Sequence, residues 1–336
     1  MKSKALWTLL LVAAGTVAAS AETINAAGAT FPAPIYQKWF EEFHKAHSDV
    51  QINYQAIGSG GGIRQLSAGT VDFGASDMPM TDEELSKVTK FKVLHFPTVL
   101  GGIVPTYNVP GFPAVNFSGP TLAGIYLGAI KKWNDAALKK DNPSLNLPNQ
   151  DITVIHRSDG SGTSFVFTNY LSTVSSEWKS KVGANTSVNW PIGLGGKGNE
   201  GVAGLVKQTP FSVGYVELIY AVQNKMEYGS MKNAAGNFVK ADFNTVSEAA
   251  DGAAKNMPAD FRVSIVNAPG KNAYPISTFT WLLIPDKIDN ATKKKSIMDF
   301  LAWMMTTGQA DAQALSYAPL PKAVVDKEQK QLALIK

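Results

Sequence analysis

The feature that most constrains the fold of this chain is a short apolar run that ends in a turn rich in glycine and hydroxyl residues and continues as an amphipathic helix. The clearest case is the β-branched run at residues 151–155, which is followed by HRSDGSGTSF at 156–165. Large apolar residues then recur at three- and four-residue spacing as far as Trp178. This pattern predicts a buried strand and a helix that begins near Ser161-Gly162-Thr163. The unpaired N–H groups of its first turn, with Arg157 beside them, form a candidate anion site.

The same arrangement occurs twice more near the N-terminus. Residues 23–34 and 50–65 each run from a strand pattern through a glycine-containing turn into a helix, and a third strand pattern ends on Asp77. Alternating strands and helices predict an α/β fold with a mostly parallel sheet covered on both faces. Ligands of such sheets bind beyond the carboxyl ends of the strands. We therefore expect Thr30, Ser59 and the turn at residues 161–163 to converge on one small anion.

The first 21 residues have the pattern of a secretory signal peptide. Lys2 and Lys4 precede an apolar stretch, and Ala19-Ser20-Ala21 supplies small residues for cleavage after Ala21. The chain contains no cysteine, which excludes disulfides, thiolate metal sites and a lipid-modified cysteine. The net charge of +4 includes both signal-peptide lysines, so the balance does not favour nucleic acid as a partner. These features predict a soluble, exported, periplasmic protein.

Two long extended runs predict crossings between two lobes. They lie at residues 96–104 and 273–284, and a helical pattern that starts near Lys293 follows the second run. The predicted lobe 1 is discontinuous and comprises residues 22–104 and 276–336. The predicted lobe 2 comprises residues 105–275.

Arginine is rare in this chain and occurs only at Arg64, Arg157 and Arg262. A chain that uses lysine for its solvated surface places arginine where a planar, bidentate donor is needed. Arg157 and Asp159 could form an ordinary structural ion pair. The glycine-rich context favours an additional role for Arg157 in binding an anion.

Other motifs favour structural roles over enzymatic ones. GLGGKG at residues 193–198 matches a dinucleotide motif, but no convincing strand precedes it, so a structural glycine loop is favoured. Neither Ser59 nor Ser161 lies in G-x-S-x-G, and the S-x-x-K at residues 176–179 falls within a predicted helix without its partner motifs. His44 and His47 are interpreted as part of a solvated helix face. We expect no catalytic residue, metal or cofactor, and a phosphatase or serine hydrolase is the enzymatic alternative.

Several segments, in order along the chain, resemble the periplasmic phosphate-binding proteins of phosphate-specific ABC transporters. The segments are AGATFPAP at 27–34, GSGGG at 58–62, VDFGASD at 71–77, RSDGSGTSF at 157–165, WPIGLGGKG at 190–198 and GYVE at 214–217. The resemblance implies a two-lobed periplasmic binding protein of type II, with its ligand cleft between the lobes. It also implies a monomeric receptor, not an enzyme, that binds inorganic phosphate and delivers it to a membrane permease.

The resemblance also implies the residues that hold the ion. The expected phosphate-binding residues are Ala29, Thr30, Phe31, Ser59, Asp77, Arg157, Ser161, Gly162 and Thr163. Asp159 is expected to hold the Arg157 guanidinium in place. Gly60 occupies a position where relatives often have a second serine, so no side-chain contact is expected there.

A carboxylate beside an anion has a specific chemical meaning. Ionised Asp77 can only accept hydrogen bonds. Phosphate near neutral pH keeps a proton that it can donate to Asp77, whereas sulfate has none and would leave Asp77 unpaired. Asp77 is therefore predicted to select phosphate. Another tetrahedral oxyanion, sulfate or molybdate, is the alternative ligand.

Overall fold

The protein is described by a computed structural model that covers residues 21–336. The predicted signal peptide falls outside these residues, except for Ala21. The strands are β1 (Glu22–Gly28), β2 (Val50–Ala56), β3 (Phe73–Ser76), β4 (Val93–Tyr107), β5 (Asn116–Phe117), β6 (Thr153–Arg157), β7 (Leu194–Gly196), β8 (Ser212–Glu217), β9 (Glu227–Tyr228), β10 (Ser230–Lys232), β11 (Phe238–Val239) and β12 (Ser277–Pro285).

The α-helices connect these strands and cover the sheet. They are α1 (Ala33–Ala46), α2 (Ser59–Ala68), α3 (Asp82–Lys87), α4 (Gly119–Tyr126), α5 (Ala136–Asp141), α6 (Gly162–Val174), α7 (Ser176–Lys181), α8 (Gly198–Gln208), α9 (Leu218–Gln223), α10 (Phe243–Lys255), α11 (Ala291–Thr306) and α12 (Lys322–Gln331).

The main sheet joins two blocks of parallel strands through long antiparallel strands. Its order is β2-β1-β3-β12-β4-β8-β6-β7, with β9 also paired to β4. The neighbours β2, β1 and β3 are parallel, and so are β8, β6 and β7, whereas β12 and β4 are antiparallel to their neighbours. A second, small sheet contains β11, β10 and β5. The predicted α/β class is confirmed, and the antiparallel pair at the centre is the exception to the parallel pattern.

Strand β4 belongs to both halves of the main sheet. Its residues from Val93 to Gly102 pair with β12, whereas Ile103 to Tyr107 pair with β8. All of β12 and nearly all of β4 are buried, because both faces of these strands are covered.

Helix α1 anchors the first block through one aromatic face. Tyr36, Trp39, Phe40 and Phe43 are buried, as the helical spacing predicts, and Phe40 and Phe43 contact Phe300 of α11. The spacing of three and four residues places these rings on the same side of the helix. This face fixes the direction of α1, and the N-terminal end of the helix follows the carboxyl end of β1.

Element boundaries differ slightly from the sequence pattern. Strand β6 covers Thr153–Arg157, two residues later than the β-branched run, because its pairing with β7 continues to Arg157. Helix α6 begins at Gly162, where the pattern predicts. Residues 190–192 form no strand, as expected, but the glycine motif that follows them itself forms β7 and the start of α8.

Candidate anion-binding site

The loop after β1 is held close to β3. The N–H of Ala29 donates to Ala75 O at 3.0 Å, and Ala29 O accepts from the hydroxyl of Tyr54 at 2.6 Å. Gly28 permits this approach, because a Cβ at that position would lie 2.1 Å from Ala75 O. Both backbone polar groups of Ala29 therefore have hydrogen-bond partners within the protein, so Ala29 stabilises the loop and offers no free donor to a ligand.

Thr30 and Phe31, the next two residues of this loop, are buried. Thr30 is 3 % exposed and Phe31 is fully buried. The carbonyl of Phe31 accepts from the Tyr317 hydroxyl at 2.6 Å, and the carbonyl of Thr30 accepts from the Tyr220 hydroxyl. Both carbonyls are therefore bonded to buried tyrosines, which fix the loop just before α1.

Ser59 and Asp77 meet beyond the ends of β2 and β3. Ser59 is the first residue of α2 and is fully buried, and its Oγ accepts from the N–H of Asp77 at 3.2 Å. The Asp77 carboxyl is 1 % exposed, and its Oδ1 accepts from the hydroxyl of Thr280 at 2.8 Å. Its Oδ2 lies 3.5 Å from Ser59 Oγ, the limit of a hydrogen bond. Oδ2 therefore retains capacity to accept from a ligand.

The environment of Asp77 strongly affects its ionisation. Burial raises the pKa of Asp77 to about 7, although the Thr280 hydrogen bond, the charge of Arg157 and the Ser59 hydrogen bond each lower it. Removing a carboxylate from water disfavours its charged form, and the neighbouring donors compensate only in part. The group therefore titrates near neutral pH.

Arg157 and Asp159 form a bidentate ion pair at the end of β6. Arg157 Nε donates to Oδ1 at 2.8 Å and Nη2 donates to Oδ2 at 2.6 Å. Asp159 also accepts from the N–H of Gly198 at 3.1 Å. Burial opposes ionisation of Asp159, but the hydrogen bonds and charge of Arg157 together with the Gly198 N–H outweigh it and hold its pKa below the ordinary value.

The ion pair leaves one guanidinium nitrogen available. Arg157 is 2 % exposed, and its Nη1 is buried without a hydrogen-bond partner among residues 21–336. A buried donor of this kind is costly unless a ligand or water satisfies it. Arg157 and Asp159 therefore form the structural ion pair that was one of the two expectations. The pair holds the guanidinium in place and leaves Nη1 without a partner.

Residues 161–163 form the start of α6. Ser161 caps the helix by accepting from the N–H of Ser164 at 3.0 Å, and its own N–H donates to Thr186 O at 2.8 Å. Ser161 and Thr163 are fully buried. The first N–H groups of α6, including those of Gly162 and Thr163, have no partner within the helix. They carry the positive end of the helix dipole, which favours an anion.

The loops of the two halves of the sheet are in direct contact. The N–H of Gly60 donates to Gly160 O at 3.0 Å. A Cβ at Gly162 would lie 2.4 Å from Ser59 Oγ and 2.7 Å from Asp77 Oδ2. The predicted residues after β2, β3 and β6 are therefore gathered at one buried position, and Asn199 links Thr30, in the loop after β1, to Thr163 of α6. Gly60 contributes its backbone N–H to the contact with Gly160, and its lack of a side chain lets Gly160 approach closely.

Three further residues at this position are not among the predicted site residues. Thr280 is 203 positions from the carboxyl it contacts. Tyr215 accepts from the N–H of Arg157 at 3.2 Å and lies 2.6 Å from Ser164 Oγ. Asn199 follows the glycine motif directly and contacts Thr30 and Thr163. Tyr215 lies within the GYVE segment at 214–217 and Asn199 lies beside the glycine motif, whereas no sequence signal marks Thr280.

The described residues show two further negative findings. Within residues 21–336, no group of three or more His, Asp or Glu side chains is arranged to hold a metal ion. Over the same residues, the helices are too short or too polar to cross a bilayer.

Comparisons with known proteins identify the family of this chain. The family model of the PBP superfamily domain matches residues 13–307. The phosphate-binding protein PstS of Xylella fastidiosa is 47% identical over 304 residues, which cover 90% of this chain and 82% of the relative. PstS of Haemophilus influenzae is 46% identical, with 98% of each chain covered.

A solved structure resembles the whole fold. PfluDING, a high-affinity periplasmic phosphate-binding protein solved with bound phosphate, superimposes with a TM-score of 0.73 at 21% identity, covering 92% of this chain and 93% of that chain. The expected two-lobed fold of periplasmic binding proteins is thereby confirmed. The chain belongs to the PBP superfamily and, within it, to the family of phosphate-binding proteins PstS.

Proposed function

We propose that the protein binds inorganic phosphate between its lobes and delivers it to the membrane permease of an ABC importer. The observation that carries this proposal is a carboxyl group among donors. Arg157 Nη1 and the start of α6 offer hydrogen-bond donors, and Asp77 Oδ2 offers an acceptor at the same buried position. An anion that still carries a proton satisfies both kinds of group.

We assign the ligand contacts as follows. Thr30, Ser59, Ser161 and Thr163 would donate through hydroxyls, Phe31 and Gly162 through backbone N–H groups, and Arg157 through Nη1. Asp77 would accept the phosphate proton, and Asp159 would hold Arg157. Ala29 would shape the loop, because both of its backbone polar groups are already bonded.

The lobes are assigned to residues 22–104 with 276–336 and to residues 105–275. The exchange of partners along β4, from β12 to β8 between Gly102 and Ile103, supports a crossing within two residues of the first boundary. Thr30, Ser59 and Asp77 would then face Arg157 and α6 across the cleft. A ligand that bonds to both lobes stabilises the closed form, since it binds that form better than the open one.

We further propose a monomeric, non-enzymatic, periplasmic receptor, released by cleavage after Ala21. The names of the relatives, phosphate-binding protein PstS, support a role in phosphate binding. Incubation with a chromogenic phosphate ester is expected to give no turnover. X-ray scattering is expected to show a smaller radius of gyration with phosphate than without it.

Calorimetric titration tests the central proposal directly. Protein freed of bound anion is titrated with phosphate, sulfate and molybdate at pH 8. Tight binding of phosphate and at least about 100-fold weaker binding of sulfate are expected, since sulfate leaves a buried carboxylate unpaired. Equal affinities for phosphate and sulfate, or binding of molybdate alone, would contradict the proposal.

A further inference from the structure

Asn199 lies at the centre of a hydrogen-bond network that joins the two sides of the cleft. It is the second residue of α8 and is fully buried. Its Nδ2 lies 2.9 Å from Thr30 Oγ1 and 3.3 Å from Thr163 Oγ1. Its Oδ1 accepts from the N–H of Glu217 at 2.9 Å.

The orientation of the Asn199 amide is determined by Glu217. A backbone N–H can only donate, so the amide oxygen must face Glu217. The NH₂ group must therefore face the two threonine hydroxyls. It has two N–H bonds, one for each hydroxyl, and both are used.

This orientation controls how the hydroxyls can bond. A hydroxyl has one O–H to donate and two lone pairs to accept with. Thr30 Oγ1 accepts from Nδ2 and also from the backbone N–H of Asn199 at 3.3 Å. Thr163 Oγ1 accepts from Nδ2. Neither hydroxyl can direct its proton at Asn199, so each O–H remains available to an anion acceptor.

We propose that Asn199 is a positioning residue that commits the hydroxyls of Thr30 and Thr163 as donors to the bound anion and joins the lobes when they close. The inference rests on the proposed function, because it assumes that the two threonines contact phosphate. Asn199 and Thr163 belong to lobe 2 and Thr30 to lobe 1. The bonds from Asn199 to Thr30 therefore exist only in the closed form, and their loss accelerates phosphate release.

A merely structural role for Asn199 makes a different prediction. A buried amide that only supported α8 would affect phosphate binding by the same factor whether or not the threonine hydroxyls were present. A positioning residue acts through those hydroxyls, and its effect vanishes with them. A double-mutant cycle separates the two roles.

The experiment measures phosphate affinity by calorimetry for four proteins: the wild type, Asn199→Leu, Thr30→Val with Thr163→Val, and the triple variant. Asn199→Leu is expected to weaken binding about 10- to 100-fold in the wild-type background and less than about 3-fold when both hydroxyls are absent. Stopped-flow measurements are expected to place most of the loss in the dissociation rate. Equal losses in both backgrounds, or no loss in the wild type, would overturn the inference.

Two further variants keep the result interpretable. Asn233 is another buried amide, which donates to the carbonyls of Gly270, Lys271 and Ala273 away from the cleft. Asn233→Leu is expected to lower the melting temperature without changing phosphate affinity. If Asn199→Leu does not fold, Asn199→Asp replaces it in the cycle, because its carboxylate still accepts from Glu217. A wild type that does not bind phosphate would refute the proposed function itself, before the cycle begins.

Discussion

Gly162, at the start of α6, lies directly against the carboxyl of Asp77. A Cβ at Gly162 would approach Asp77 Cβ and Oδ2 to 2.7 Å each, closer than non-bonded atoms can come. Because Gly162 has no side chain, the N-terminus of α6 can lie directly against Asp77.

Gly162→Ala is expected to weaken phosphate binding about 10- to 100-fold, since overpacking a closed site costs about 1–3 kcal/mol. Gly204→Ala is the matched control, because a Cβ at this position in α8 has no neighbour within 4 Å. The control is expected to stabilise the protein by about 0.5–1 kcal/mol and to leave affinity unchanged. Calorimetry and thermal melts check both results. Wild-type affinity in Gly162→Ala would show that closure does not bring these groups together.

Asp77→Asn is expected to shift selectivity towards sulfate. The amide can donate to an anion without a proton, whereas the carboxylate cannot, so the ratio of phosphate to sulfate affinity is expected to fall by about 10-fold or more. Ser59→Ala serves as the control, because the serine hydroxyl donates equally to both anions and its loss weakens both. Competition calorimetry measures the ratio. An unchanged ratio in Asp77→Asn would refute its role in selectivity.

The stability of the phosphate-free protein is expected to depend on Asp77 and pH. The folded pKa is about 7 against an ordinary value of 3.8, so between these values the folded state holds a proton that the unfolded chain has lost. The contribution of Asp77 to the free energy of unfolding therefore falls as the pH rises through this window. Above pH 7 the wild type carries the full penalty, about 4 kcal/mol at roughly 1.4 kcal/mol per pKa unit.

Melting curves of Asp77→Asn and the wild type test this pH dependence. The two proteins are expected to melt at similar temperatures near pH 4, and the variant is expected to be more stable at pH 8. A constant difference between pH 4 and pH 8 would mean that Asp77 keeps its ordinary pKa in the folded protein.

Arg157→Lys is expected to weaken phosphate binding about 10- to 100-fold. A lysine ammonium cannot form the bidentate pair with Asp159 and at the same time present a second donor such as Nη1. Arg262→Lys is the control, since Arg262 lies in partly exposed ion pairs with Asp82 and Asp260. Exposed pairs contribute little, so the control is expected to change affinity less than about 3-fold. Wild-type affinity in Arg157→Lys would show that only the positive charge matters, and similar losses in both variants would show that the effect is not specific to Arg157.

Much of the site could be predicted from the chain alone because its residues lie in local patterns. A strand followed by a glycine turn and a helix places unpaired N–H groups at a known edge of the sheet, as α2 and α6 show. The family resemblance supplied the particular residues, including Asp77. The partners of these residues lie far away in sequence, as Thr280 does, and no periodicity or turn signal marks them.

The sequence by itself determined the α/β class, the helix start at Gly162 and the residue types that an anion site requires, because these depend on neighbours within a few positions. Only the tertiary structure decided what Asp77, Arg157 and Asn199 can do. It buries Asp77 and so brings its pKa near neutrality, leaves Nη1 of Arg157 without a partner, and turns the Asn199 amide towards two hydroxyls. Burial and hydrogen-bond direction depend on the packing of distant segments, and that packing is a property of the whole fold.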